Sequence, residues 1–297
     1  MSSLRLDRLV TLGVVNPVRR ASAFFPAQAR GYGSGRRTLP ILMYHSISDD
    51  RQPGVAPYYR TVTTPRRFAE QMRLLQDCGW RGVSLAEGLA AWCGLAEDAT
   101  AEKRVAVTFD DGFDDFRTAA APILHACGFG ATMFLPTAYI SEDASPRHFC
   151  GRDCLNWTEV RRLHAEGIEF GSHTFSHPRL VDLGWEEIEA EIALSKSEIE
   201  ARLGHAITSF SYPFSFPQAD TDFCGRLREI LGRAGYRACV TTEIGCAGSG
   251  DDPYRLRRLP VNDDDDPALF AAKLGGDYNW LAGPQRAYKA LKHAMGN

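Results

Sequence analysis

No run among these 297 residues is long and apolar enough to cross a bilayer, which takes about twenty consecutive apolar residues. The best N-terminal candidate, Leu9 to Val15, is broken by Thr11 and Gly13 and followed by Asn16-Pro17 and Arg19-Arg20, so it is also short for an export signal. Excess charge is missing too: 34 Lys and Arg against 37 Asp and Glu give a net charge of -3, which offers nucleic acid no electrostatic footing. Cysteine is sparse and scattered, with eight residues at 78, 93, 127, 150, 154, 224, 239 and 246, as expected of free thiols in a reducing compartment rather than of a disulfide framework. Only Cys150 and Cys154 lie close together. With His148 they fall one ligand short of a structural zinc knuckle, so they read as plain loop thiols. These absences place the chain in the cytoplasm, with a periplasmic location or a peripheral membrane contact through an interfacial helix over Leu4 to Val18 as the alternatives. No repeat or low-complexity tract is visible, and the oligomeric state is not legible.

What is present suits an ordinary globular protein, 44% hydrophobic and 24% charged, long enough to bury a large core. Residues 1–38 end in a glycine and arginine-rich stretch, Gly31 to Arg37, which reads as a linker after an N-terminal appendage. A catalytic domain is expected over 39–262 and a helical tail packed on it over 263–297. Strand-like and helix-like segments then alternate. Strands are expected at Pro40 to Ile47, Arg81 to Leu85, Arg104 to Phe109, Ala131 to Leu135, Ile168 to Gly171, Ser209 to Tyr212, Ala238 to Thr242 and Leu256 to Val261. Helices are expected at Thr64-Pro65 to Gly79, Ala86 to Cys93, Phe116 to Cys127, Thr158 to Glu166, Trp185 to Leu203, Thr221 to Ala234 and Lys289 to Met295. Such alternation argues for an α/β fold with parallel strands and outer helices, open or closed, with its chemistry at the carboxyl ends of the strands.

Two such ends carry unusual residues. Val105 to Phe109 runs directly into Asp110-Asp111-Gly112, and neighbouring carboxylates raise one another's proton affinity unless a cation takes one of them. Taken alone, Asp-Asp-Gly is more often a turn and a helix cap. Downstream, Ile168 to Phe170 leads into His173-Thr174-Phe175-Ser176-His177, two histidines at a spacing that lets both imidazoles reach one ion. One carboxylate and two imidazoles make a three-ligand site with open positions, the arrangement a hydrolytic metal centre needs.

Thr108-Phe109-Asp110-Asp111-Gly112, His173-Thr174-Phe175-Ser176-His177 and Ser211-Tyr212-Pro213-Phe214, in that order, resemble the first three motifs of the polysaccharide deacetylase family, the NodB-homology or carbohydrate esterase family 4 domain. Ile41-Leu42-Met43-Tyr44-His45 resembles the Tyr-His opening of the branch with exopolysaccharide N-deacetylases of the poly-N-acetylglucosamine type. The resemblance covers roughly residues 38–262 and implies a distorted, incomplete (β/α) barrel. It also implies a divalent metal ion, zinc with cobalt or nickel as alternatives, on Asp111, His173 and His177. Asp110 would be the base, and the backbone N-H of Phe214 an oxyanion donor. The implied substrate is an N-acetylated polysaccharide or oligosaccharide.

The chain departs from the family pattern in lacking a late Leu-x-x-His strand. His293 falls in a helical stretch. His45, at the end of the first strand, is the replacement that the Tyr-His branch implies as the acid for the departing amine, with a packed core residue as its plainer reading. Ser215 stands where glycine is usual and Ser211 where another branch has arginine, so the orientation of Asp110 is open. Trp157 and Arg258 are further candidates for touching sugar, with a core edge and a surface charge as their plainer readings. The rival functions are an O-acetyl esterase and a catalytically silent glycan-binding relative.

Overall fold

The computed structural model describes residues 5–22, 38–50, 52–92, 103–142, 145–248 and 250–294; Leu4, Cys93 and the Gly31 to Arg37 stretch lie outside the described residues. Among the described residues the main sheet contains eight strands, in chain order β1 (Ile41–Tyr44), β2 (Trp80–Val83), β3 (Lys103–Phe109), β4 (Thr132–Leu135), β5 (Glu169–Ser172), β6 (Ser209–Ser211), β7 (Ala238–Ile244) and β8 (Leu256–Pro260). Seven of them close a ring of parallel neighbours in the order β1, β8, β7, β6, β5, β4, β3 and back to β1. The eighth, β2, pairs with the first half of β3, and its Gly82 carbonyl accepts from Gly130 N-H at the foot of β4 at 3.0 Å. Spacing left open sheet and closed barrel undecided; the β1–β3 pairing, Ile41 opposite Ala106 through Tyr44 opposite Phe109, closes it.

Apolar runs buried on both faces are what a helix-covered parallel barrel requires, and Val105, Ala106, Val107 and Phe109 of β3 are all fully buried. Outside the ring, Pro65–Asp77 starts at a Thr64 cap with proline in the first turn and turns Phe68, Met72 and Leu75 inward. Phe68 meets Tyr44 edge-on with ring centroids 5.1 Å apart, and Phe109 meets Phe116 at 4.8 Å. Each such aromatic pair adds about 0.5–1.5 kcal/mol beyond burial. Together they fix β1 and β3, the two strands whose ends carry His45 and Asp110.

Gly171 lets β5 pack closely. A Cβ there would come within 2.6 Å of the Phe134 ring and 2.7 Å of the Ser209 carbonyl oxygen, so any side chain would displace the strand that carries His173.

Several expectations need correction. The strand expected over Pro40 to Ile47 is interrupted at His45, because Ser46–Ile47 leaves the barrel to pair with Val62–Thr63. The helix ending at Cys127 opens with a π-turn, Phe116–Ala120, just ahead of Pro122, whose missing N-H cannot serve a regular α-helical ladder. The terminal helix begins earlier than Lys289, at Ala282. Trp157 is fully buried under the guanidinium of Arg202, 5.6 Å from its ring, and is a core residue rather than a sugar platform. Cys154 is no plain loop thiol: it is buried, its Sγ 3.9 Å from the Asp111 carbonyl oxygen.

The described N-terminal helical residues attach to the C-terminal segment through their polar side chains. Arg5 pairs with Asp265 at 2.9 Å, Asp7 accepts from Tyr278 at 2.6 Å and Thr11 accepts from the Trp280 indole at 3.0 Å, whereas Leu6, Val14 and Val18 are exposed. Among the described residues no helix is long and apolar enough to cross a membrane.

Candidate metal centre and active site

The first two motifs and the end of β1 meet at one mouth of the barrel. Asp110 and Asp111 follow β3, His173 follows β5, and His45 follows β1. Backbone bonds hold these ends in register: Asp110 N-H donates to the Tyr44 carbonyl at 3.1 Å and His173 N-H to the Leu135 carbonyl at 2.9 Å. Among the described residues six non-glycine residues have positive φ, and four of them are motif residues: Asp111 (75°), Thr174 (69°), His177 (57°) and Phe214 (56°). Such backbone costs about 1–3 kcal/mol per residue and persists where surrounding contacts impose it, typically at functional sites. Here the turn from His173 to His177 is tied by Thr174 N-H to Ser172 Oγ at 3.1 Å and His177 N-H to Thr174 Oγ1 at 3.0 Å. Glu191 anchors it further by accepting from Ser176 N-H and Oγ.

Asp111 Oδ1, His173 Nε2 and His177 Nε2 converge, with separations of 3.6 Å (Asp111 to His173), 3.5 Å (Asp111 to His177) and 3.1 Å between the imidazoles. A tetrahedral zinc-like ion with bonds near 2.0–2.1 Å would space its donors about 3.4 Å apart. His173 Nδ1 donates to the Ser211 carbonyl at 2.8 Å, which leaves the Nε2 lone pair directed at the other two donors. Asp111 Oδ1 is buried and has no hydrogen-bond partner among the described residues. An orphaned carboxylate oxygen beside the His173 lone pair and the His177 Nε2 fits a bound divalent cation.

The same atoms without an ion are electrostatically frustrated. Burial and the neighbouring Asp110 charge push the Asp111 carboxyl up to about 8. Burial lowers both His173 and His177, the latter to about 3 with His173 contributing, so both are neutral at pH 7. In the ion-free protein the contribution of Asp111 to stability is therefore full below the ordinary carboxylate range and is lost as pH rises towards 8. Binding an ion must expel that proton, so divalent-metal affinity should rise by about tenfold per pH unit up to about pH 8 and then flatten, as isothermal titration at several pH values would show. A plateau already reached near about pH 5 would mean that Asp111 ionises unaided.

Asp110 is held differently. Arg258 makes a two-pronged salt bridge to it, Nη1 to Oδ1 at 2.8 Å and Nη2 to Oδ2 at 2.7 Å, with Ser211 Oγ on Oδ1 at 3.2 Å and on Arg258 Nη2 at 3.1 Å. Burial alone would raise this carboxyl; the Arg258 charge, aided by His173, outweighs it and holds the group well below the usual carboxylate range. Asp110 Oδ2 faces His45 Nε2 and His173 Nε2, each at 4.0 Å. Burial lowers His45 to about 4 against the opposing pull of Asp110, so it is neutral at pH 7, and its side chain keeps 20% exposure towards solvent.

Arg258 is thus not a sugar contact but the partner of Asp110, and with Ser211 it answers the orientation question that the motif comparison left open. An arginine in the middle of a buried parallel strand was the available signal, since such a charge is almost always paired. Phe149 and Tyr139 were missed. The hairpin His148–Phe149 to Arg152–Asp153 turns at Cys150 and Gly151 and sets Phe149 against His177, ring centroids 4.9 Å apart, with Tyr139 behind it at 4.4 Å. The Phe214 ring covers His177 at 4.6 Å and is 49% exposed. His148 pairs with Asp153 at 2.7 Å.

The profile of the polysaccharide deacetylase family matches residues 97–239, the stretch that contains both aspartates, both histidines and Phe214. Over that stretch the chain carries a polysaccharide deacetylase domain of the NodB type. This deacetylase domain is similar to YxkH of Bacillus subtilis (strain 168), named as a polysaccharide deacetylase, at 29% identity over 235 residues, 79% of this chain and 75% of that protein. It is also similar to poly-beta-1,6-N-acetyl-D-glucosamine N-deacetylase of Escherichia coli (strain K12), at 25% identity over 167 residues, 52% of this chain; the matched part is 24% of that longer protein. Among solved structures, the Streptococcus pyogenes deacetylase PplD in complex with acetate shares the fold with a TM-score of 0.67 at 24% identity, covering 80% of this chain and 98% of that one. The matched family and the sequence relatives make this a deacetylase hydrolase domain.

Proposed function

We propose that the protein is a metal-dependent N-deacetylase acting on N-acetylhexosamine units of a glycan, an exopolysaccharide or its precursor. The observation that carries this is the convergence of Asp111, His173 and His177 on one point, with the separately held anion Asp110 beside it. When bound, a divalent ion there supplies Lewis acidity, lowering the proton affinity of a water and drawing electron density from the acetamide carbonyl. Asp110 accepts the proton of the attacking water through Oδ2, the oxygen that faces the histidines. Phe214 N-H donates to the acetyl oxygen as it gains charge, in a turn whose carbonyl is held by Thr242 Oγ1 at 3.1 Å. His45 starts neutral, receives from Asp110 Oδ2, 4.0 Å from its Nε2, the proton taken from the water, and delivers it to the amine as the C–N bond breaks. Phe149, Tyr139 and Phe214 form an apolar rim suited to a sugar ring.

The test is acetate release from N-acetylglucosamine oligomers and from O-acetylated xylan, with and without chelator. Amide turnover that a chelator abolishes and zinc, cobalt or nickel restores is the expected result. Turnover on the xylan alone would favour the esterase, and none on either the silent relative.

The role of His45 has its own consequence. In His45→Ala, hydrolysis of the amide should fall roughly a hundredfold or more, while an activated ester with a good leaving group loses much less. Both substrates are to be measured on one folded, metal-loaded sample, and equal losses would remove His45 from the mechanism.

A further inference from the structure

A second pair of histidines, outside the barrel mouth, also brings its two Nε2 atoms together. His164 lies in the last turn of the helix Trp157–Ala165, and His205 follows Gly204, which closes the helix Trp185–Leu203. Their Nε2 atoms are 3.0 Å apart, against 3.1 Å for His173 and His177. Each Nδ1 contacts a backbone carbonyl, His164 that of Ile168 at 3.2 Å and His205 that of Ala206 at 3.0 Å.

A carbonyl oxygen only accepts, so both Nδ1 atoms carry a proton, and as neutral imidazoles both rings present bare lone pairs at Nε2. Two lone pairs at this distance cannot hydrogen-bond to each other. A cation between them converts the repulsion into coordination, and a carbonyl on the remote nitrogen is the usual support of a metal-bound imidazole. The setting independently favours positive charge, because two helices bring their C-terminal ends, with their partial negative charge, to this point. On the same two helices Arg162 is paired with Glu166 and Arg202 with Glu142. His205 is exposed and His164 half-buried, so an ion can enter from solvent.

We propose that His164 and His205 form a second metal site, separate from Asp111, His173 and His177, that takes a borderline divalent transition ion of the Cu, Ni or Zn class, with water completing its coordination. The ion clips together two helix ends 41 residues apart in sequence. Neither histidine touches the barrel mouth, so the site is independent of the deacetylase chemistry.

The experiment uses the full chain preloaded with zinc and dialysed, titrated with Cu2+ and followed by electron paramagnetic resonance, with retained zinc measured in parallel. The expected result is about one further ion per chain, with a two-nitrogen imidazole signature, without zinc release and with a raised melting temperature. His205→Ala and His164→Gln should each weaken this binding by at least about tenfold, with deacetylase turnover unchanged. Equal Cu2+ binding by wild type and His205→Ala, uptake only in exchange for the preloaded zinc, or no uptake at all would each overturn the proposal.

Discussion

Replacing Asp110 by asparagine should cut turnover on an N-acetylated glycan by roughly a hundred- to ten-thousand-fold, the range for a lost general base. Metal content should stay near that of the wild type, because the donors Asp111, His173 and His177 are untouched. The substitution keeps size and an oxygen for Ser211, but the amide cannot accept the water's proton and offers Arg258 no charge. Some loss of stability is therefore expected alongside the loss of rate. Turnover should accordingly be referred to folded, metal-bearing protein, by metal analysis and circular dichroism on the assayed sample. Near-normal turnover per folded molecule would show that another group takes the proton.

Arg258→Met should destabilise the protein by about 3–5 kcal/mol at pH 7, because removing one member of a buried ion pair strands the other. Both partners are buried, Arg258 with 0% and Asp110 with 3% side-chain exposure, so solvent offers little compensation. The pH dependence separates this from simple loss of packing. In the wild type the Asp110 carboxyl lies below its unfolded value, so its contribution to stability is present above that value and is lost only as pH falls through the native one. Without Arg258, burial dominates and the carboxyl rises, so the sign reverses: the contribution is present at low pH and is lost as pH increases. Melting temperatures measured from acid to neutral pH should show the gap between variant and wild type widening as pH rises. A constant gap would mean that Arg258 acts through its bulk. Activity should fall too, since Asp110 would no longer be a fixed anion facing His45 and His173.

The proposed metal donors were legible as strand-end groups because each motif is local. Asp111 follows β3 and His173 follows β5, so a short apolar run ending in polar residues reveals both the strand and the group at its mouth. The terminal helix and β1 were partly misread for the opposite reason. Their boundaries depend on Ser46–Ile47 pairing with Val62–Thr63 and on packing that no window of sequence contains. Trp157 and Arg258 were plausible at the surface by residue type, and only their surroundings decide that one is core and the other the partner of Asp110.

The sequence by itself determined the alternation of strand and helix, the two aspartates and two histidines at strand ends, and the cap that starts Pro65–Asp77, all set by periodicity and by contacts a few residues long. Tertiary structure alone decided the closure of the ring through β1 and β3, the anchoring of Asp110 by a residue 148 positions away, the neutrality of His45 and the proton held by Asp111 near pH 7. Those properties arise from desolvation and from charges brought close by folding. Both depend on which atoms surround a group in space, and distance along the chain carries no record of that.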